Sequence, residues 1–183
     1  MSSLASPAGS VFRKITVREA AVLLFIAGLI PFAVHLVPWA GARPLGAYLL
    51  PMFWATFVAV YFYGAGAGLL TGLFAPAVNL LVTGLPAWKF LSVMSLELVV
   101  FAVATAWAVR RFPRFWLLAP LGYGVAKVAS TLVQAVTPAL GAIGSPGDFF
   151  VRSLAGVTPG LLVLAVVGGL LVKFYPKTAG PAV

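Results

Sequence analysis

The chain has 183 residues, of which 62% are hydrophobic and 8% charged, with a mean hydropathy of +1.10 and a formal net charge of +9. A soluble domain of this size has no core large enough to hide that much apolar surface, so composition excludes a soluble globular protein and makes lipid the solvent. The excess of cations reads as a topology signal and an attraction to anionic headgroups rather than nucleic-acid affinity, and the lack of cysteine excludes disulfides and thiolate chemistry.

At about 20 apolar residues per helical pass, the expectation is an all-α polytopic membrane protein with six transmembrane helices. A single membrane domain over 13–177 would be flanked by short disordered tails at 1–12 and 178–183. The first span is predicted from about Val17 to Val37, behind Arg13, Lys14 and Arg18, a flank that normally stays in the cytoplasm. A cleaved signal peptide is the competing reading, but the apolar run exceeds the usual length and lacks a clean small-residue cleavage site. From Leu45 to Leu85 there are 41 residues without a charge. As one helix they would run about 61 Å, twice the hydrocarbon thickness, so the chain must reverse. Gly64, Gly66 and Gly68 supply the reversal, with spans of about Gly46 to Tyr63 and Gly66 to Thr83.

The fourth span, about Leu91 to Val109, stops at Arg110, Arg111, Pro113 and Arg114. A fifth, about Phe115 to Val136, leads into Pro138, Gly141, Gly144, Pro146 and Gly147, and a sixth runs from about Phe150 to Val172 before Lys173 and Lys177. Six spans place both termini on one side. Eight cations (Arg13, Lys14, Arg18, Arg110, Arg111, Arg114, Lys173, Lys177) then fall on that side and three (Arg43, Lys89, Arg152) on the other. The positive-inside rule makes the termini cytoplasmic, in a multi-pass protein of the cell inner membrane. Trp39, Trp88 and Trp116 lie at span ends, where indole anchors in the headgroup zone.

In lipid, helices associate through close backbone contact, and small residues recur here every fourth position: Gly64, Gly68 and Gly72; Gly122, Ala126 and Ser130; Gly156 and Gly160. Packing within the chain is the plainest reading of these faces, against a homodimer or a docking surface for another membrane protein. Gly64 to Gly68 is not a nucleotide loop, because it lacks the preceding strand and the GxGxxG spacing.

Glu97 and Lys127 fall well inside predicted spans, where a charge is costly unless paired or functional. Tyr123, Lys127, Ser130 or Thr131, and Gln134 recur at helical spacing and form a polar stripe on the fifth span. Glu97 sits about 9 Å, and Lys127 about 15 Å, from the outer ends of their spans, depths at which the two can pair. Asn79, Ser92, Ser95, Arg152 and Ser153 add polar groups at similar depth, while Tyr48, Trp54 and Trp88 could wall a pocket. A purely structural ion pair is the bland alternative, but it does not require a stripe. His35, the sole histidine, reads as an interfacial residue. Nothing in the inventory calls for a cofactor or a metal.

The order of motifs resembles the substrate-binding (S) components of energy-coupling-factor vitamin transporters. The resembling stretches are Gly64 to Pro76 (GAGAGLLTGLFAP), Leu81 to Pro86 (LVTGLP) and Met94 to Leu98 (MSLEL), with Pro159-Gly160 in the last span. The AxxxA docking motif of that family's first span is missing here, whereas Ala102 and Ala106 have its interval in another span. The resemblance implies a subunit that binds a vitamin or related micronutrient near the outer face. Outer loops around His35 to Arg43, Thr83 to Lys89 and Pro138 to Phe150 would cap it. A coupling membrane subunit and two ATPase subunits would energise uptake; the chain itself has no ATPase motif. The expected ligand contacts are Glu97, Lys127, Gln134, Asn79, Arg152 and Tyr123. Two other classes compete: a structural or assembly protein using the glycine faces, and an intramembrane lipid-modifying enzyme, for which no GxSxG, HExxH or aspartate cluster is present.

Overall fold

The computed structural model describes residues 16–41, 44–137 and 145–177. The proposed tails and the segment 138–144 lie outside these, as do Arg43 and the side chains of His35 and Lys89. Among the described residues there is no strand. The helices are α1 (Val17–His35), α2 (Leu45–Leu49), α3 (Pro51–Tyr63), α4 (Ala65–Thr83), α5 (Leu91–Arg111), α6 (Leu118–Val136), α7 (Pro146–Ala155) and α8 (Thr158–Phe174), with a 3-10 turn at Trp88–Phe90. Thr16 starts α1 through a capping box with Glu19, satisfying amides that a helix start leaves unpaired.

Among the described residues three helices, α1, α4 and α5, are long and apolar enough to cross a membrane, and α7 with α8 makes a fourth if that pair, bent by 61°, is one span. The remaining expected spans depart from uniform apolar rods for identifiable reasons. The polar stripe lowers the hydropathy of α6, whereas α3, with 13 residues, covers only about 20 Å. Its extension into α2 is interrupted at Leu50, which adopts the left-handed conformation (φ 56°, ψ 43°). That conformation costs a non-glycine residue about 1–2 kcal/mol. The last expected span also breaks, at Gly156–Val157, without a left-handed residue. The reversal after α3 needs one glycine, Gly64 (φ 87°, ψ −171°), a backbone region closed to side chains; α4 begins at once, with Gly66 and Gly68 inside it.

The small-residue faces are consumed inside the chain. A Cβ built on Gly72 would lie 2.8 Å from the carbonyl oxygen of Leu98, and one on Gly160 would lie 2.5 Å from that of Tyr48. Gly68 meets Val60 and Ala102, Gly122 meets the methyl of Thr105, and Gly168 meets the carbonyl of Trp116. Thr105 turns that methyl outward because its hydroxyl donates back to the carbonyl of Phe101 (2.6 Å). Ala102 and Ala106 are likewise buried, so the AxxxA interval of α5 serves packing. Conversely, Leu121, Val125, Val128, Leu132 and Val136 are exposed along the back of α6, the face a helix presents to acyl chains.

Interhelical contacts fix which ends lie together. The Tyr61 hydroxyl donates to the carbonyl of Tyr175 (2.7 Å), and the Lys177 ammonium sits 4.9 Å over the Tyr61 ring, so the ends of α3 and α8 meet. Burial, and then the neighbouring Arg110, push the Lys177 ammonium below the ordinary lysine range. The described cations Arg18, Arg110, Arg111, Arg114, Lys173 and Lys177 gather at this end. Because the folded state binds the Lys177 proton more weakly than the unfolded chain, its penalty is present at neutral pH and fades as pH rises toward the ordinary lysine value. Lys177→Gln should therefore raise the thermal midpoint at neutral pH, with the gain shrinking under alkaline conditions.

Candidate functional site

At the opposite end the helices splay around a cavity of about 310 Å³. Its floor is aromatic: Phe53 and Tyr123 line it, and their rings meet edge to face with centroids 5.0 Å apart, continued by Phe53 on Phe101 at 5.1 Å. Both broken spans converge on it, through Leu50–Phe53 and through Ser153 and Val157. Non-helical backbone at membrane depth is tolerated where it lines such a cavity rather than lipid. Pro31 of α1, Leu85 and Pro86 of the loop after α4, and Met94 of α5 complete the apolar wall.

The polar wall is built on α4, α5 and α6. Lys127 Nζ donates to both oxygens of Glu97, at 2.7 and 2.8 Å, and the Ser130 hydroxyl donates to Glu97 Oε1 at 2.8 Å. Both charged residues are buried, at 4% and 8% exposure, a position neither charge tolerates alone. Lys127 also lies 5.6 Å from the Tyr123 ring centroid and 5.4 Å from that of Phe149, so α7 reaches over the pair. Quadrupoles of those rings favour a cation there. Ser130→Ala is expected to destabilise the protein by about 1.5–3 kcal/mol, the range for hydrogen bonds to charged groups, measurable by thermal unfolding in detergent.

Asn79 lines the cavity from α4. Its Nδ2 donates to the carbonyl of Leu85 at 2.6 Å, which ties the end of α4 to the loop, and its Oδ1 is buried without a partner. A carbonyl can only accept, so the Leu85 contact fixes the amide's orientation and leaves the oxygen as the spare atom.

The cavity therefore brings together Asn79, Glu97, Tyr123 and Lys127 of the residues expected from sequence. It does not bring in Arg152 or Gln134. Arg152 is exposed on α7 and does not line the cavity, although its neighbour Ser153 does. Gln134 is buried at 2% exposure, two turns beyond Lys127, and both atoms of its amide lack partners. Ser153 lines the cavity, whereas Ser95 donates to the carbonyl of Leu73 (3.1 Å) and Ser92 is exposed. Tyr48, Trp54 and Trp88 are not among the lining residues; Tyr48 packs on Trp39 (5.7 Å) and Trp88 is exposed. Of the three expected capping loops, the second contributes Leu85 and Pro86, and Pro44, one residue past the first, also lines the cavity; 42–43 and 138–144 lie outside the described residues. Met52, Phe53 and Met94 carried no sequence signal that set them apart from ordinary core residues.

No family model, no curated protein and no solved structure matches this chain.

Proposed function

We propose that the chain is a six-span membrane protein that binds a small, vitamin-like solute in the cavity between α1, α3, α4, α5 and α6, as the S-component resemblance implies. The observation that carries this reading is a built cavity at the cation-poor end of an apolar bundle, with a buried ion pair on its wall. Its volume lies at the lower edge of the range for small-molecule pockets, and its mostly apolar lining with a few convergent polar groups is the usual composition of such sites. The cation-rich end belongs in the cytoplasm by the positive-inside rule, which faces the cavity outward. Uptake would then be energised by a coupling membrane subunit and two ATPase subunits.

The assembly-protein reading loses its main support, because the glycine faces on which it relied pack within the chain. The enzyme reading finds a paired, neutralised carboxylate and ammonium where it would need a free acid or base. Purified protein is expected to show thermal stabilisation with one member of a micronutrient panel and to lose it in Lys127→Ala. Mass spectrometry of gently solubilised protein should recover a small molecule bound in a one-to-one ratio. A complete panel without a shift, together with an empty spectrum, would remove the proposal.

A further inference from the structure

The geometry points to an uncharged solute with an amide-like edge as the occupant of this cavity, recognised by a Glu97–Lys127 pair that stays closed. This deepens the binding reading above and rests on it. The pair is already satisfied: Lys127 spends two of its three protons on Glu97, and Glu97 Oε1 accepts from both Lys127 and Ser130. What remains for a ligand is one ammonium proton, one lone-pair position on Glu97 Oε2, and the Oδ1 of Asn79, buried and unpartnered. Ser153 adds a hydroxyl that can serve either way.

This inventory of one donor and two acceptors is the complement of a primary amide, whose carbonyl takes the ammonium proton while its two N–H groups reach the two oxygens. A ureide or an aminopyrimidine edge presents the same pattern. A carboxylate brings only acceptors, so it would face Glu97 Oε2 and Asn79 Oδ1 without a proton to offer them. A second donor from Ser153 would leave both of those acceptors unmet, and a second ammonium proton would have to be pulled from Glu97, stranding it in an apolar wall. An ammonium ligand would meet the Lys127 charge at close range. The apolar balance of the cavity, walled by Phe53, Met52, Met94 and Leu50, suits an aromatic or aliphatic ring behind the polar edge. At about 30 Å³ for each liquid water, the space holds roughly ten non-hydrogen atoms.

The test uses the full chain in detergent micelles and matched probes of this size: benzamide with benzoate and benzylamine, and nicotinamide with nicotinate and pyridylmethylamine. Thermal midpoints are read over a concentration series at one pH and ionic strength. The amides are expected to bind at least tenfold more tightly than either charged counterpart. A carboxylate or amine that binds as well as its amide overturns the neutral-edge inference and leaves a binding cavity of another charge preference. Failure of all six probes, with the protein folded by circular dichroism, overturns the binding reading itself.

Discussion

Lys127→Ala is expected to lower the stability of the protein by about 3–5 kcal/mol, the cost of stranding one member of a buried ion pair. The substitution leaves Glu97, at 4% exposure, with Ser130 as its remaining hydrogen-bond donor. α4 and α6 pack against the helix that carries Glu97, so its carboxylate has only the cavity side to turn to. Equilibrium unfolding of the purified protein in mild detergent gives the measurement. The sharper comparison is the double replacement of Glu97→Gln with Lys127→Met, which removes both charges while keeping the volume. It should recover most of the loss, since an apolar or neutral replacement of a buried pair is often close to isoenergetic. If the single and double variants are equally unstable, the charge argument fails and the side chains matter through packing alone.

Gly72→Ala and Gly160→Ala should each cost about 1–3 kcal/mol, the usual penalty for overpacking a close contact. In both, the obstacle is backbone: the carbonyl of Leu98 for Gly72 and that of Tyr48 for Gly160, at 2.8 and 2.5 Å from an added Cβ. Neither carbonyl can rotate away as a side-chain tip would. The helices must separate, and at Gly160 this pushes α2 off α8 at the edge of the cavity. Gly124→Ala and Gly169→Ala provide the control, because nothing lies within 4 Å of the new methyl at either position. Those changes should be neutral or stabilise by about 0.5–1 kcal/mol through helix propensity alone. A midpoint series in which all four variants behave alike would show that close approach does not govern this bundle.

The all-helical fold could be read from hydropathy because lipid imposes a simple length rule on apolar runs. The stripe on α6 was readable for a related reason. Tyr123, Lys127, Ser130 and Gln134 repeat at helical spacing, and each is buried. The depth estimate that paired Glu97 with Lys127 used only the rise per residue, and the two meet. The interruptions were not readable. Pro51 and Pro159 follow breaks, yet Pro31 and Pro76 lie inside the continuous helices α1 and α4, so proline alone does not mark where a membrane helix parts. Arg152 and Ser153 were placed at one depth, yet only Ser153 lines the cavity, because adjacent residues of a helix point about 100° apart and depth alone does not say which face is turned inward. Asn79 shows the opposite case: its depth was evident, but its spare oxygen follows only from the Leu85 contact.

The clasp between Tyr61 and the carbonyls of Leu171 and Tyr175 has a practical corollary. It anchors the departing chain about 27 Å, at 1.5 Å per residue, from Val157 on the rim of the hollow. A reporter domain fused behind Lys177 must emerge on the face remote from the opening. Whichever compartment lights up a C-terminal fluorescent or phosphatase fusion therefore also reveals, by subtraction, the compartment toward which the hollow opens.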